Sequence, residues 1–384
     1  MRKKYIYSII ISIISLIIFF SFFYQNFNND AKEEFVKPQI AFKNSFFSVQ
    51  LKYLEKKPEF DITAIKNLKD KKKFDNKLKN KILELLNMPF KKIPESQILN
   101  SNYEVIDKGK YTQNKISLLT SDVSLTSAYL LIPKNINFPA PAIIAMHPHG
   151  NFYEYGKDWV VGNIGNPDLF YGKELAERGY IVLSIDSALF GDRVDVGKNS
   201  REKEEIREAQ NLLLLGHPLL GVVVQEDVVS LDFLYSLDIV NKSNIGCIGH
   251  SFGGIRCMYL AALDNRIKTT VISSAIANTK RNIESGETHS WLTILPGIAK
   301  YTETSGILAL ISPRPLMIIH TTEDQIFNAN EALEQINLVK KLYSILNKES
   351  NFNYFFIKDE AHTFPKEVHN LAYEFFDKNL KSNI

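Results

Sequence analysis

The hexapeptide Gly249-His250-Ser251-Phe252-Gly253-Gly254 constrains this chain more than any other feature. It follows the apolar run Ile245-Gly246-Cys247-Ile248 and opens a stretch of helical character, 252–264. This is a G-x-S-x-G pattern set between a strand and a helix. In that setting the glycines let neighbouring backbone approach closely and leave the serine at a strained tip. The hydroxyl stands above the end of a sheet, and the helix amino terminus favours negative charge developing beside it. An ordinary glycine turn is the competing reading, but the strand before and the helix after favour a nucleophile at Ser251.

The remaining chain can supply the sheet such a turn needs. Apolar patterns predict strands at 103–108, 115–120, 126–132, 142–146, 181–185, 245–248, 269–274, 316–319 and 353–357. Helical patterns at 172–179, 203–214, 222–237, 252–264, 329–346 and 366–379 fall between the later strands. This order predicts an α/β fold, a mostly parallel sheet flanked by helices. Of 384 residues 45% are hydrophobic and 23% charged, which suits one large core and excludes a disordered chain. Lys and Arg number 46 against 43 Asp and Glu, so the charge balance gives no sign of a nucleic-acid partner.

Residues 1–29 read as a separate segment. Arg2, Lys3 and Lys4 precede an apolar run from Tyr5 to Tyr24, and charge returns only at Asp30. At about 1.5 Å per residue this run spans roughly 30 Å, the depth of a bilayer's hydrocarbon core. Ser21-Phe22-Phe23-Tyr24 makes a poor cleavage site, so a retained single-pass signal anchor is expected in preference to a cleaved signal peptide. Basic residues ahead of the helix place the rest outside the cytoplasm, or secrete it if the segment is cut. Residues 30–100 form a Lys-rich lead-in. Within it Phe74, Leu78, Ile82, Leu85 and Leu86 recur at helical spacing before Pro89. That predicts a packing helix with a solvated basic face, membrane-surface binding being the lesser alternative. Residues 101–384 are expected to form a single catalytic domain. Cys247 and Cys257 flank the serine turn and read as buried small hydrophobes rather than a disulfide.

A serine hydroxyl is a weak nucleophile that needs a base, and the base needs an orienting acid. His362 lies in Glu360-Ala361-His362-Thr363-Phe364, between the last strand and the last helix. Asp324 follows the strand 316–319, with Glu323 beside it and Asp359 three residues before His362 as competitors. Oxyanion donors are expected at the N–H of Phe252, after the nucleophile, and of His149, in the loop His147-Pro148-His149-Gly150. His147 is expected to brace that loop. A metal site on the H-x-H pair is the lesser reading, since no acidic partner stands at ligand spacing. Asp192 and Arg193 suggest an ion pair holding the loop after the strand 181–185. Asp359-Glu360-Ala361-His362 spells a helicase motif, but without a phosphate-binding loop that reading fails.

Several stretches together carry a family likeness. They are His147-Pro148-His149-Gly150, Asp186 through Leu189-Phe190-Gly191-Asp192-Arg193, Leu215-Gly216-His217-Pro218-Leu219-Leu220-Gly221, the serine turn, Ser312-Pro313-Arg314-Pro315-Leu316, and Ala361-His362. From roughly Tyr103 to Asn379 the chain resembles bacterial α/β-hydrolases of the acetyl xylan esterase and dienelactone hydrolase kind. The resemblance implies an α/β-hydrolase fold and a catalytic order Ser251, Asp324, His362. It implies hydrolysis of carboxylic esters, with acetyl or other short acyl esters on carbohydrate as candidates. No metal or organic cofactor is required by that mechanism.

Three functions are therefore weighed. The first is a membrane-anchored serine esterase acting on a small-molecule or carbohydrate ester. The second is a serine peptidase of the prolyl-oligopeptidase type, although roughly 100 residues ahead of the sheet are too few for a gating propeller. The third is a non-catalytic binding protein on a hydrolase fold. Specificity walls are expected in the excursions 151–171, 187–222 and 277–312, whose Phe152, Tyr153, Tyr155, Trp159, Trp291 and Tyr301 suit sugar stacking as well as packing.

Overall fold

The apolar runs become the strands of one sheet in the computed structural model, which describes residues 52, 55–89, 94–194, 201–285 and 289–381. The expected anchor, 1–29, lies outside the described residues. The strands are β1 (Leu99–Asp107), β2 (Tyr111–Leu119), β3 (Leu125–Pro133), β4 (Ala140–Met146), β5 (Ile181–Ile185), β6 (Val240–His250), β7 (Ile267–Ser273), β8 (Leu316–Thr321) and β9 (Phe352–Ile357). Their order is β1-β2-β3-β5-β4-β6-β7-β8-β9. β1, β2 and β3 form an antiparallel arm that joins β5 antiparallel, and from β5 to β9 all pairs are parallel. Every residue of β4 and β5 is buried, which is why both read as unbroken apolar runs.

The chain leaves β4 to build β5 on one side and later returns to build β6 on the other. Such a reversal opens a crevice at the carboxyl ends of the two strands, and ligands of parallel sheets sit there.

The main helices are α1 (Leu68–Leu86), α2 (Tyr171–Glu177), α3 (Arg201–Leu214), α4 (Leu219–Ser236), α5 (Phe252–Leu263), α6 (Ala329–Ile345) and α7 (His369–Phe376). α1 starts where the Asn67 side chain accepts the Asp70 N–H and stops at Asn87, whose φ is 36°. Its Phe74, Leu78, Ile82 and Leu86 are buried in the same apolar core as Ile116, Leu118 and Ile144 of the sheet. Each such side chain contributes on the order of 1.5–3 kcal/mol, so the apolar stripe outweighs a face rich in exposed lysines. Lys71 is the exception among those lysines. It is buried, and its Nζ donates to Asp75 and to the Ser312 carbonyl at 2.5 and 3.1 Å.

Two expectations are corrected here. Cys247 of β6 and Cys257 of α5 are buried as expected, but they are joined as a disulfide. The strand and helix flanking the serine pack directly on one another, which brings the two Cα atoms to 5.8 Å. Asp192 and Arg193 do not pair. The short 3-10 turn 191–193 sends their side chains apart, Asp192 to Lys157 and Lys115 at 2.9 and 2.8 Å, Arg193 to Glu226 at 2.7 Å.

Candidate active site

Ser251 sits between β6 and α5 with φ 56° and ψ −124°, a conformation that an L-residue holds only when its surroundings force it. Its N–H donates to the Ser273 carbonyl at 2.8 Å, tying the turn to β7. Gly253 lets the first turn of α5 approach β4, since a Cβ there would fall on the Met146 carbonyl. Ser251 is 8% exposed and borders a cavity of about 1030 Å³ at the carboxyl ends of the strands. Phe252, His149 and His362 border the same cavity.

His362, in the segment after β9, and Asp324, in the segment after β8, meet at 2.8 Å between Nδ1 and Oδ2. Asp324 Oδ1 accepts the N–H groups of Ile326 and Phe327 at 2.9 and 2.8 Å. Burial alone would raise its pKa, but the His362 hydrogen bond and charge, with those two N–H groups, hold it below the usual carboxylate value. The two competing acids point elsewhere. Glu323 is exposed, and its N–H donates to the Glu360 carbonyl. Asp359 is also exposed, with its carboxylate 3.6 Å from Lys358. Among the described residues no hydrogen bond joins Ser251 Oγ to His362.

The His362 ring lies against His250 and Phe327, at centroid distances of 4.8 and 5.7 Å. Burial, reinforced by the neighbouring His362, pushes the His250 pKa well below that of a free imidazole, so His250 is a neutral wall.

The loop after β4 brings His149 to the cavity. Gly150 there has φ 54°, and a Cβ would run into the Trp159 ring. Among the described residues neither the His149 nor the Phe252 N–H has a hydrogen-bond acceptor. His147 is turned inward, as a brace requires: its Nδ1 donates to the Pro148 carbonyl at 2.8 Å and its Nε2 accepts the Ser187 N–H at 3.1 Å. The two imidazoles of the H-x-H pair thus serve different partners.

Residues 42–372 match the Abhydrolase family. The chain belongs to it. YtaP of Bacillus subtilis (strain 168), named as a hydrolase, is 32% identical to this abhydrolase over 214 residues, 54% of this chain and 68% of its own. Among solved structures, a Bacteroides fragilis protein named as an acetyl xylan esterase superposes with a TM-score of 0.71. It is 19% identical, and the match covers 87% of this chain and 89% of that one. A glucuronoyl esterase from Solibacter usitatus gives 0.54 at 14% identity, over 78% and 91% of the two chains. The α/β-hydrolase fold expected from the motifs is therefore the fold of this chain.

Other polar residues in and around the abhydrolase site escape the sequence. Glu205 of α3 reaches the His149 loop and the segment 290–291. Arg256 of α5 and Asp227 of α4 form a buried two-armed ion pair, 2.5 and 3.1 Å, and the guanidinium lies 5.6 Å over the Phe252 ring. Lys157 and Asp186 pair at 2.6 Å with no exposure on either side chain. Arg256 and Asp227 are charged residues in apolar helices, a signal that names no partner, whereas Glu205 lies in a helix crowded with charge and gives no signal. Of the expected aromatic wall, Tyr153, Trp159 and Trp291 border the cavity, whereas Phe152 and Tyr155 stack on one another, 4.8 Å apart, and Tyr301 stacks on Phe60 of the lead-in, 6.2 Å away.

Proposed function

We propose that this abhydrolase is a serine esterase that cleaves acyl esters carried on carbohydrate, held at the outer face of a cell membrane by residues 1–29. The observation that carries the reading is His362, held by Asp324 and bordering the same cavity as the strained Ser251. Ser251 Oγ attacks the ester carbonyl while His362 Nε2 takes its proton. Asp324 holds the imidazole with its proton on Nδ1 and stabilises the imidazolium that forms. The oxygen that becomes negative is held by the N–H groups of Phe252 and His149. Collapse expels the alcohol, which receives the proton from His362, and leaves an acyl group on Ser251. Water, activated by the same imidazole, then releases the acid.

A carbohydrate alcohol is supported by the cavity. At about 1030 Å³ it matches the upper end of small-ligand sites, ~300–1,000 Å³, and leaves room beyond a short acyl group. Trp291 offers a half-buried ring to a sugar beside the edges of Trp159 and Tyr153, and Asn151 and Asn166 offer amides to its hydroxyls. The esterase names of the structural neighbours agree with this reading.

The test is turnover by the full chain in detergent of acetylated xylo-oligosaccharides, feruloyl esters, longer acyl esters and a prolyl peptide, beside Ser251→Ala. Acetyl-sugar turnover that falls on the order of 10⁶-fold in folded Ser251→Ala is expected. Normal turnover by that variant, or turnover of the peptide alone, would refute the reading. The anchor predicts that protease added to intact cells digests the domain, and that the mature chain keeps residues 5–24. A mature chain starting near residue 30 would rule the anchor out.

A further inference from the structure

The Glu205 carboxylate is a hub that the reaction described above does not use. Its residue is 3% exposed, yet four donors converge on it. On Oε2 it accepts His149 Nε2–H at 2.9 Å and the Tyr153 hydroxyl at 2.8 Å. On Oε1 it accepts the Ser290 hydroxyl and the Trp291 N–H, both at 2.7 Å. Burial opposes its charge, and the bonds from His149, Ser290 and Tyr153 overcome that, holding its pKa below the usual carboxylate value.

His149 is fixed from both ring nitrogens. With Nε2–H donated to Glu205, Nδ1 is left as an acceptor, and it takes the Asn151 N–H at 3.1 Å. That second bond closes the tight turn 149–151, in which Gly150 and Asn151 have φ of 54° and 60°. The turn carries the His149 N–H at the cavity edge. The chain Glu205, imidazole, Asn151 N–H therefore sets the backbone direction of a group that must face the reacting oxygen.

We propose that Glu205 is the positioning residue of the oxyanion hole, acting through the tautomer of His149. The proposal rests on the esterase reading and assigns the control of one of its two donors. A carboxylate is required because it accepts at both oxygens. A glutamine has one amide face that donates. The Trp291 N–H can only donate, so it retains the amide oxygen, and the amide NH₂ is turned to His149 and Tyr153. The Tyr153 hydroxyl can rotate to accept. His149 can accept on Nε2 only by moving its proton to Nδ1, where it would oppose the Asn151 N–H and open the turn.

Glu205→Gln is expected to lower kcat on the order of 10²-fold, the usual loss for one oxyanion donor, with KM for the smallest acetyl ester within about threefold. Affinity for a trifluoromethyl ketone, which forms an oxyanion adduct on the serine, should fall by the same factor as kcat/KM. If Glu205 only braced the cavity wall at 290–291, bulky esters would lose KM and the smallest ester would keep its kcat. That result overturns the proposal, as does a kcat loss that leaves ketone affinity unchanged. Should Glu205→Gln fail to fold, the wild-type full chain with ¹⁵N-labelled histidine decides. A His149 signal of the Nε2–H tautomer is required, and an Nδ1–H tautomer rejects the mechanism. Ser251→Ala retaining full turnover would instead sink the esterase reading, which separates the two failures.

Discussion

Asp324→Asn tests the proposed orienting acid, because the structure dictates which way the amide must lie. Asp324 Oδ1 accepts two backbone N–H groups, from Ile326 and Phe327, and Oδ2 faces His362 Nδ1 at 2.8 Å. Backbone N–H groups cannot reverse their role, so the asparagine oxygen takes the Oδ1 place and its NH₂ points at His362. Nδ1 must then accept, which moves the imidazole proton to Nε2, the atom that has to receive the serine proton. In a serine triad a wrong tautomer of this kind lowers kcat by roughly 10⁴, equivalent to about 5.4 kcal/mol of barrier. Because volume is conserved and the two N–H groups stay satisfied, the fold should persist by circular dichroism and thermal melting. The assay is steady-state hydrolysis of an aryl acetate by wild type, Asp324→Asn, Glu323→Gln and Asp359→Asn. The two exposed acids should each stay within a few-fold of wild type. A folded Asp324→Asn within tenfold of wild type, or a crippled Glu323→Gln, would refute the reasoning and move the acid.

Two further outcomes concern stability. Lys157→Met leaves the Asp186 carboxylate, fully buried, without its cation, and breaking such a pair costs about 3–5 kcal/mol; urea unfolding should show this, while Asp192→Asn, whose side chain is 43% exposed, should lose about 1 kcal/mol or less. The folded pKa of Asp324 lies below its ordinary value, so its ionisation contributes stability that is complete only above about pH 5 and is lost progressively as pH falls through the unfolded and then the folded pKa. Unfolding measured at pH 5 and pH 3 should therefore show a smaller acid loss in Asp324→Asn than in wild type, and equal losses would deny the depressed pKa.

What the sequence determined by itself is what contiguous residues encode. The run 245–254 carries a strand, a glycine turn and a helix start in one stretch, so Ser251 and its strained backbone were legible before any fold was known. The unbroken apolar runs of β4 and β5 announced strands covered on both faces, and the spacing of Phe74, Leu78, Ile82 and Leu86 announced the buried stripe of α1. Chain order also placed an acid and a histidine after the right strands. The tertiary structure alone shows which of Asp324, Glu323 and Asp359 lies against His362, because neighbouring acids differ only in where a turn aims them. It alone joined Cys247 to Cys257, separated the adjacent Asp192 and Arg193, and brought Glu205 to His149 across 56 residues. Such pairings depend on helix rotation and strand register, which fix distances between segments that no local pattern relates.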